Sequence, residues 1–168
     1  MLGLLRTELK SIVPGPITWR GCILQVGLGR CPWRVAIASM LLQRTKRVQA
    51  ESVLYQLLEI WPDAMSLVHA EGLEDIIRPC GLHRNRSRQL VRFSSQWLGD
   101  GWTDLRELTG VGPYVSDAVG LICLGRKDVE TTDPALLEYI AWLGRNSQSD
   151  VETLLGKQKQ VDVSYILQ

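Results

Sequence analysis

The chain has 168 residues, of which 45% are hydrophobic and 22% are charged. This composition is typical of a folded protein and excludes a disordered chain, and the length allows one domain or two small lobes around a shared core. The net charge is only +1, yet no acidic residue lies between Glu8 and Glu51 or between Asp75 and Asp100, and both segments are rich in arginine. Two basic segments are compatible with an anionic partner on one face, and equally with neutralisation by carboxylates that lie nearby in space.

The cysteines and the apolar runs argue against a zinc or disulfide scaffold and against a secreted or membrane-spanning protein. The four cysteines are Cys22, Cys31, Cys80 and Cys123. They form no C-x-x-C pair and show no regular spacing, which predicts buried free thiols and indicates neither a zinc site nor a disulfide framework. Charged residues at positions 6, 8 and 10 interrupt the first apolar stretch, so we expect no secretory signal, and no apolar run is long enough to span a bilayer.

Apolar periodicity, together with the placement of proline and glycine, predicts a succession of helices and no convincing strand. In chain order the predicted helices cover residues 2–13, 33–43, 46–61, 64–70, 71–77, 84–98, 102–108, 114–124, 134–143 and 150 to about 159, and residues 19–29 are expected to mix a short helix with turns. The helix over 33–43 is apolar on nearly all sides, which is typical of a core helix. The sequence therefore predicts an all-α fold.

Residues 108–114 read Leu-Thr-Gly-Val-Gly-Pro-Tyr and lie between two of these helices. Gly110 tolerates the left-handed conformation that ends a helix, and Pro113 suits the first position of the next one. Because Gly110 and Gly112 have no side chains, the hairpin from Gly110 through Val111 to Gly112 can bring its N–H groups close to an anion, beside the positive end of the second helix. The same pattern is compatible with an ordinary corner between helices.

Asp133 precedes Pro134 at the start of another predicted helix, which is the pattern of an N-cap. The positive end of a helix favours the ionised form of a carboxylate. A fixed anion of this kind could stabilise positive charge that develops in a transition state, and it could orient or deprotonate a water molecule. Capping and catalysis are compatible at this one residue.

Taken together, these motifs resemble the helix-hairpin-helix DNA glycosylases related to endonuclease III. The signature of that family is Leu-Pro-Gly-Val-Gly, a variable catalytic position two residues later and an aspartate about one helix further on. The resemblance covers about Ile23 to Leu143 and is greatest to the glycosylase domain of the methyl-CpG-binding-domain proteins. It implies an endonuclease III-like fold of two helical lobes. One lobe would cover about 33–124, with the helix-hairpin-helix motif at 102–124, and the other would combine 1–32 with 133–168.

The resemblance also implies roles for single residues. Asp133 matches the catalytic aspartate, and Tyr114 stands where bifunctional members carry a lysine that attacks the sugar. A tyrosine cannot form the Schiff base of that reaction, so we expect no lyase step. Gln25 matches the glutamine that reads the edge of the flipped pyrimidine, and Tyr114 is expected to contact the same base. A core aromatic without a direct role is an alternative for Tyr114.

Three residues outside the hairpin are expected to contact DNA: Gln43, Arg44 and Leu82. By resemblance Arg44 fills the gap that the flipped nucleotide leaves, and Leu82 is a wedge against the opposite strand. Insertion of such side chains offsets part of the few kcal/mol lost on unstacking. A core leucine that follows the end of a helix is the alternative for Leu82.

The implied activity is that of a monofunctional DNA glycosylase, which flips thymine or uracil out of G·T and G·U mismatches and hydrolyses the N-glycosidic bond. The expected partner is double-stranded DNA with a mismatch or damaged pyrimidine, bound by a monomer in the prokaryotic cytoplasm or the eukaryotic nucleus. No protein metal site is expected. No iron–sulfur cluster is expected either, because residues 144–168 lack the cysteines that hold it in the endonuclease III branch. A monovalent cation at the hairpin is compatible with the resemblance.

Two alternatives follow from the same residues. An adenine mismatch glycosylase would also lack the lysine, but that branch has a glutamate four residues before Gln43, where this chain has Ser39. A helix-hairpin-helix module that binds DNA without turnover would not need both Asp133 and Tyr114. The chain also departs from the family at Thr109, which replaces the usual hairpin proline.

Overall fold

The computed structural model describes residues 3–19 and 23–145. Over these ranges the chain forms eight α-helices and three short 3₁₀ segments, and its only β-type pairing is an isolated antiparallel bridge between Leu5 and Asp104. The α-helices are α1 (Arg6–Lys10), α2 (Pro32–Leu42), α3 (Arg47–Ile60), α4 (Ala64–Val68), α5 (Leu73–Ile77), α6 (His83–Leu98), α7 (Pro113–Leu124) and α8 (Pro134–Arg145). The 3₁₀ segments are Leu24–Leu28, Arg78–Cys80 and Leu105–Glu107. The predicted all-α class is confirmed.

Two apolar helices form the centre of the core. Nine of the eleven residues of α2 are buried, as are nine of the twelve residues of α7, and the two helices pack against each other. Helix α3 packs on α2, while α6 packs on α4, α5 and α2. The prediction that the helix near 33–43 is a core element is correct, because a helix that is apolar on all sides is stable only when it is surrounded.

Two predicted helices are shorter in the structure. The predicted helix over 2–13 is only α1, because Leu5 pairs in extended form with Asp104 and the Arg6 N–H donates to the Thr103 carbonyl at 2.8 Å. The predicted helix over 102–108 is the 3₁₀ segment Leu105–Glu107. A reciprocal cap fixes its start, since Asp104 Oδ1 accepts from the Arg106 N–H at 2.9 Å and Glu107 Oε1 accepts from the Asp104 N–H at 3.1 Å. The predicted helix over 150–159 lies outside the described residues.

The chain divides into two compact units between Thr131 and Thr132. The first unit contains α1 to α7. In the second unit the structure describes α8, on which Leu136 and Tyr139 are buried and the rings of Tyr139 and Trp142 stack 5.9 Å apart. The division into lobes at 33–124 and 1–32 with 133–168 stays a prediction.

Three of the four cysteines lie in the described ranges. Cys80 and Cys123 are buried, Cys31 is half-buried, and all three are free thiols. Across 3–19 and 23–145 there is no cluster of three or more histidine, cysteine, aspartate or glutamate side chains that could hold a metal ion. No helix in these ranges has the length and apolarity needed to cross a bilayer.

Candidate functional site

Gln25 lies in the 3₁₀ segment Leu24–Leu28 and is only 2% exposed. A loop just before it in the chain holds this segment, since the Gly15 N–H donates to the Gly29 carbonyl at 2.8 Å and the Thr18 N–H donates to the Gly27 carbonyl at 2.8 Å. Gly29 has a left-handed φ of 68°, and a Cβ there would overlap the Gly15 carbonyl. Position 29 therefore requires glycine, and the close approach that glycine allows fixes the backbone around Gln25.

The Gln25 carboxamide joins a buried polar cluster. Its Nε2 donates to Tyr114 Oη at 2.9 Å and to Ser39 Oγ at 3.3 Å, while Ser39 Oγ donates to the Val35 carbonyl at 2.8 Å. Gln25 Oε1 accepts no hydrogen bond from any residue that the structure describes. The fold thus brings together two predicted base-binding residues that are 89 positions apart, and it adds Ser39 as a third polar neighbour.

Tyr114 is half-buried near the start of α7, directly after the hairpin. Gly112 is the N-cap of this helix and Pro113 its first residue, as the sequence predicts. The Ser116 N–H donates to the Gly112 carbonyl at 3.0 Å, which is the first hydrogen bond of the helix. The hairpin and the Gln25 cluster are therefore connected through a single helical turn.

Side chains of α6 support the hairpin. The Thr109 N–H donates to Gln96 Oε1 at 2.8 Å. Gly110 has a φ of 84°, and a Cβ at this position would lie 2.6 Å from the side-chain amide of Gln89. Glycine at 110 is therefore favoured by its backbone conformation, and a larger residue would also have to displace the Gln89 side chain.

Two amides of the hairpin point toward no partner in the described chain. The Val111 N–H donates to the Leu108 carbonyl at 3.2 Å, but neither Gly110 nor Gly112 donates its N–H to any described residue. Gly112 has an ordinary φ of −92°, and a Cβ there would meet nothing within 4 Å. The space beside Gly112 and the two unused donors lie at the positive end of α7, which is an arrangement that suits an anion.

Arg44 and Leu82 share an unusual backbone conformation. Both have a left-handed φ, 56° for Arg44 and 49° for Leu82, and the described ranges contain only two other non-glycine residues of this kind, Trp19 and Arg30. Both side chains are exposed, Leu82 to 64%. The alternative of a core leucine at position 82 is therefore wrong. An L-residue in this conformation costs about 1–2 kcal/mol, which the surrounding structure must offset.

No role is predicted for Arg86 from sequence patterns. The residue is only 7% exposed. Its guanidinium donates to the carbonyls of Leu41 and Gln43 at the end of α2, and also to the carbonyl of Cys80, two residues before Leu82. A signal was available in the sequence, because Arg86 precedes Leu90 by one helical turn on the buried face of α6. A charged residue on an apolar stripe indicates a specific buried contact.

Asp133 belongs to the second compact unit, where it caps α8 and is half-buried. Its Oδ1 accepts from the Leu136 N–H at 3.0 Å, and its carbonyl accepts from the Leu137 N–H at 3.0 Å. Pro134 is the first residue of the helix. The local structure at Asp133 is therefore the N-cap that its sequence context predicts.

The basic segments are only partly neutralised. Arg84 Nε lies 3.2 Å from Glu74 Oε1, and Arg78 pairs with Asp75. The exposed cations without a carboxylate partner among residues 3–19 and 23–145 include Arg44, Lys46, Arg88 and Arg92. Positive charge therefore remains available along α6 and next to Arg44.

The relatives of this chain among known proteins have related names. No protein-family model matches the chain. A methyl-CpG-binding domain protein 4-like protein of Arabidopsis thaliana is 34% identical over 110 residues, which are 64% of this chain and 25% of that protein. A thymine-DNA glycosylase of Aeropyrum pernix is 27% identical over 103 residues, 56% of this chain and 46% of that protein. An endonuclease III of Thermotoga maritima is 26% identical over 139 residues, 75% of this chain and 64% of that protein.

The chain is a homologue of the helix-hairpin-helix DNA glycosylases. The solved structure of a thermostable thymine-DNA glycosylase has the same fold, with a TM-score of 0.54 at 18% identity, over 73% of this chain and 57% of that one. The expected endonuclease III-like fold is therefore confirmed for this glycosylase homologue. The chain spans between a quarter and two thirds of the length of these relatives.

Proposed function

We propose that this glycosylase homologue is a monofunctional DNA glycosylase that removes thymine or uracil from G·T and G·U mismatches in double-stranded DNA. The observation that carries the proposal is the hydrogen bond between Gln25 and Tyr114, 2.9 Å long, because it joins the two residues to which the sequence assigns base recognition. The names of its relatives support a pyrimidine substrate, since one is a thymine-DNA glycosylase.

Recognition of a pyrimidine edge follows from the orientation of the Gln25 amide. Two hydroxyl groups engage its Nε2, while its Oε1 accepts from no described residue. A carbonyl oxygen can accept the N3–H that thymine and uracil share and that cytosine lacks. The proposed site would therefore favour thymine and uracil over cytosine, and extrusion of a mispaired base requires less energy than extrusion of a paired one.

The proposed chemistry is hydrolysis assisted by Asp133. A carboxylate near the sugar would stabilise the developing oxocarbenium charge and orient the attacking water, so that the bond from C1′ to the base breaks and one from C1′ to the water oxygen forms. The departing base takes the bonding electron pair, Asp133 accepts the proton that the water releases, and a proton from solvent then neutralises the released base. Tyr114 has no amine, so no covalent enzyme–sugar intermediate and no strand cleavage are expected.

The proposed DNA contacts use four separate features. The Gly110–Val111–Gly112 hairpin would bind a backbone phosphate through its unused amides, while Gln43, Arg44 and Leu82 would occupy the space opened by base flipping. Half or more of the hydrogen bonds in a protein–DNA complex go to the backbone, so such contacts set position while the base pocket sets specificity. We propose that the protein acts as a monomer.

An iron–sulfur cluster does not fit the donor set of this chain. Clusters of the endonuclease III type need four cysteine ligands near one another. Among the residues that the structure describes, Cys31, Cys80 and Cys123 are free thiols and no three potential metal ligands lie together. We propose that the chemistry needs no cofactor.

The test uses end-labelled duplexes that contain G·T, G·U, A·T or 8-oxoguanine·A at one position. Each duplex is incubated with the protein and then divided, and only one half is treated with alkali. We expect alkali-dependent cleavage at the thymine of G·T and the uracil of G·U, and none at A·T. Cleavage without alkali would overturn the monofunctional assignment, excision of adenine opposite 8-oxoguanine would favour the adenine branch, and binding with no excision at all would indicate a non-catalytic module.

A further inference from the structure

Arg86 connects the two loops that carry Arg44 and Leu82. From α6, its Nη1 donates to the Leu41 carbonyl at 3.2 Å and to the Cys80 carbonyl at 2.9 Å, and its Nη2 donates to the Gln43 carbonyl. Gln43 directly precedes Arg44 in the chain, and Cys80 stands two residues before Leu82. One guanidinium group therefore holds the backbone next to both exposed left-handed residues.

Thr45 completes the connection. Its Oγ1 accepts from Arg86 Nη1 at 2.7 Å and lies 3.1 Å from the Cys80 carbonyl, to which it can donate. Thr45 directly follows Arg44, so the residues on both sides of Arg44 are linked to Arg86. The loop at 43–45 and the loop at 80–82 are thus joined by side-chain hydrogen bonds, and not only through the helices that precede them.

The charge on Arg86 is balanced by the backbone. Among the residues that the structure describes, no carboxylate pairs with it, although a buried cation needs compensation. The carbonyls it contacts belong to the C-terminal ends of α2 and of the 3₁₀ segment Arg78–Cys80, where helical segments carry partial negative charge. Displacement of either loop would therefore leave a buried cation less well compensated, and this raises the free energy of the displaced conformation.

We propose that Arg86 is a positioning residue for base flipping, which keeps Arg44 and Leu82 at a fixed separation so that both side chains enter the duplex together. The inference rests on the proposed function in one respect, the insertion of Arg44 and Leu82 into DNA. The planar guanidinium suits the task because it presents several donors in a rigid fork, so that Nη2 reaches the Gln43 carbonyl while Nη1 contacts Thr45 and Cys80. A lysine has a single nitrogen in place of these two and would lose part of this set of contacts.

A purely structural role is the competing explanation, and a double-mutant cycle separates the two. Arg86→Lys is made in the parent protein and again in an Arg44→Ala/Leu82→Ala background. Two signals are recorded on a G·U duplex with 2-aminopurine beside the uracil: the rise in fluorescence on binding, which reports flipping without chemistry, and the single-turnover excision rate. Thermal melts of all variants confirm that assays are run well below every transition.

Arg86→Lys is expected to reduce flipping and excision by about 10²-fold in the parent, since a displacement of about 1 Å has such an effect. In the background without Arg44 and Leu82 side chains, the further loss should be less than about 3-fold, because coupled residues are non-additive. The matched control is Arg78→Lys, an exposed position before the same loop, which should match the parent in both signals. If Arg86→Lys does not fold, Thr45→Val removes the bridging hydroxyl and should give a smaller loss with the same non-additivity.

Equal losses in the two backgrounds would overturn the positioning role and leave Arg86 as a stabilising residue. Failure of the proposed function has a different signature. In that case the parent itself excises no base, while the fluorescence signal still reports whether Arg86 controls flipping. If the parent neither flips nor excises, both the proposed function and the inference are wrong.

Discussion

At the scale of single residues, Asp133 is expected to perform two tasks that one substitution can separate. Its Oδ1 caps α8 by accepting from the Leu136 N–H, and an asparagine side chain caps a helix about as well. Asp133→Asn should therefore fold normally and bind DNA, but it should excise bases roughly 10²–10⁴-fold more slowly, because an amide can neither carry the charge nor accept the proton. Single-turnover excision and a thermal melt are the measurements.

Asp63 provides a matched control for this change. It caps α4 in the same way, with its Oδ1 2.8 Å from the Ser66 nitrogen, and it has no proposed role in catalysis. Asp63→Asn should have a similarly small effect on the melting temperature and should leave excision intact. Near-normal excision by Asp133→Asn would remove Asp133 from the mechanism.

Asp117 on α7 is a buried carboxylate with a measurable pH signature. The residue is 6% exposed. Burial, the larger cause, and the nearby charge of Glu130, the smaller one, raise the pKa of Asp117 above its ordinary value of 3.8. The folded protein therefore binds a proton on Asp117 more tightly than the unfolded chain does. Between the two pKa values stability falls as the pH rises, and above the folded value the full penalty of a buried charge is present.

Asp117→Asn is accordingly expected to raise the melting temperature at neutral pH. The gain should shrink as the pH falls through the raised pKa and should vanish well below 3.8, where the aspartate is protonated in both states. Glu130→Gln should give a smaller gain in the same direction, because it removes only the second cause. A gain that is constant from pH 4 to pH 7 would contradict this account.

At the scale of elements, the two hairpin glycines are expected to respond differently to the same substitution. Gly110 has a φ of 84°, and a methyl group there would have to displace the Gln89 side chain, so Gly110→Ala should destabilise the fold by about 1–3 kcal/mol. Gly112 has an ordinary φ and open space, so Gly112→Ala should fold normally but weaken DNA binding, because the new methyl group would occupy the proposed phosphate position. Thermal melts and binding isotherms distinguish the two effects.

Gly101→Ala is the control for the hairpin pair, since a Cβ at Gly101 also meets nothing within 4 Å and the residue lies outside the hairpin. It should change neither stability nor binding. Unchanged affinity in Gly112→Ala would indicate that the hairpin is an ordinary corner between helices, which the sequence alone could not exclude.

Sequence patterns located elements well where the cause is local. The start of α7 at Pro113 and the burial of α2 follow from proline chemistry and all-round apolarity, which are visible in the residues themselves. The start of the segment at 105–107 was misplaced although a local signal existed, since Asp104 and Glu107 have the spacing of a reciprocal cap. The start of α1 was wrong because the pairing of Leu5 with Asp104, about a hundred residues away, decides where that helix begins. No local pattern contains that information.

The same distinction holds for the site. Gln25 and Tyr114 were identified separately through a family resemblance, but their hydrogen bond depends on the packing of α7 against the 3₁₀ segment Leu24–Leu28. Arg86 was missed because its partners are backbone carbonyls, which the sequence does not identify, although its place one turn before Leu90 indicated that it is buried. The left-handed backbone at Arg44 and Leu82 was equally hidden, since neither residue type favours that conformation.

At the scale of the whole molecule, a net charge of +1 conceals an uneven distribution. Arg44, Lys46, Arg88 and Arg92 are exposed without a carboxylate partner in the described ranges. DNA affinity should therefore fall with salt, with a log–log slope of about −0.9 for each phosphate that the protein neutralises. Arg88→Gln and Arg92→Gln should each reduce the magnitude of the slope by about 1 if the side chain contacts a phosphate.

Arg106→Gln is the reference for the salt experiment, because Arg106 already pairs with Asp104 at 2.9 Å. Its slope should equal that of the parent protein. Slopes that are unchanged in both Arg88→Gln and Arg92→Gln would mean that the exposed face of α6 does not lie along the DNA backbone.

The left-handed backbone at Arg44 and Leu82 has a consequence for anyone who engineers this protein. Each residue holds a conformation that glycine or asparagine adopts with less strain, so a selection for heat resistance alone would enrich replacements at both positions. Those more thermostable variants would lack the side chains that are proposed to open the duplex. Directed evolution of this protein should therefore select for base excision and thermal stability together, because at these two positions stability and the proposed activity favour different residues.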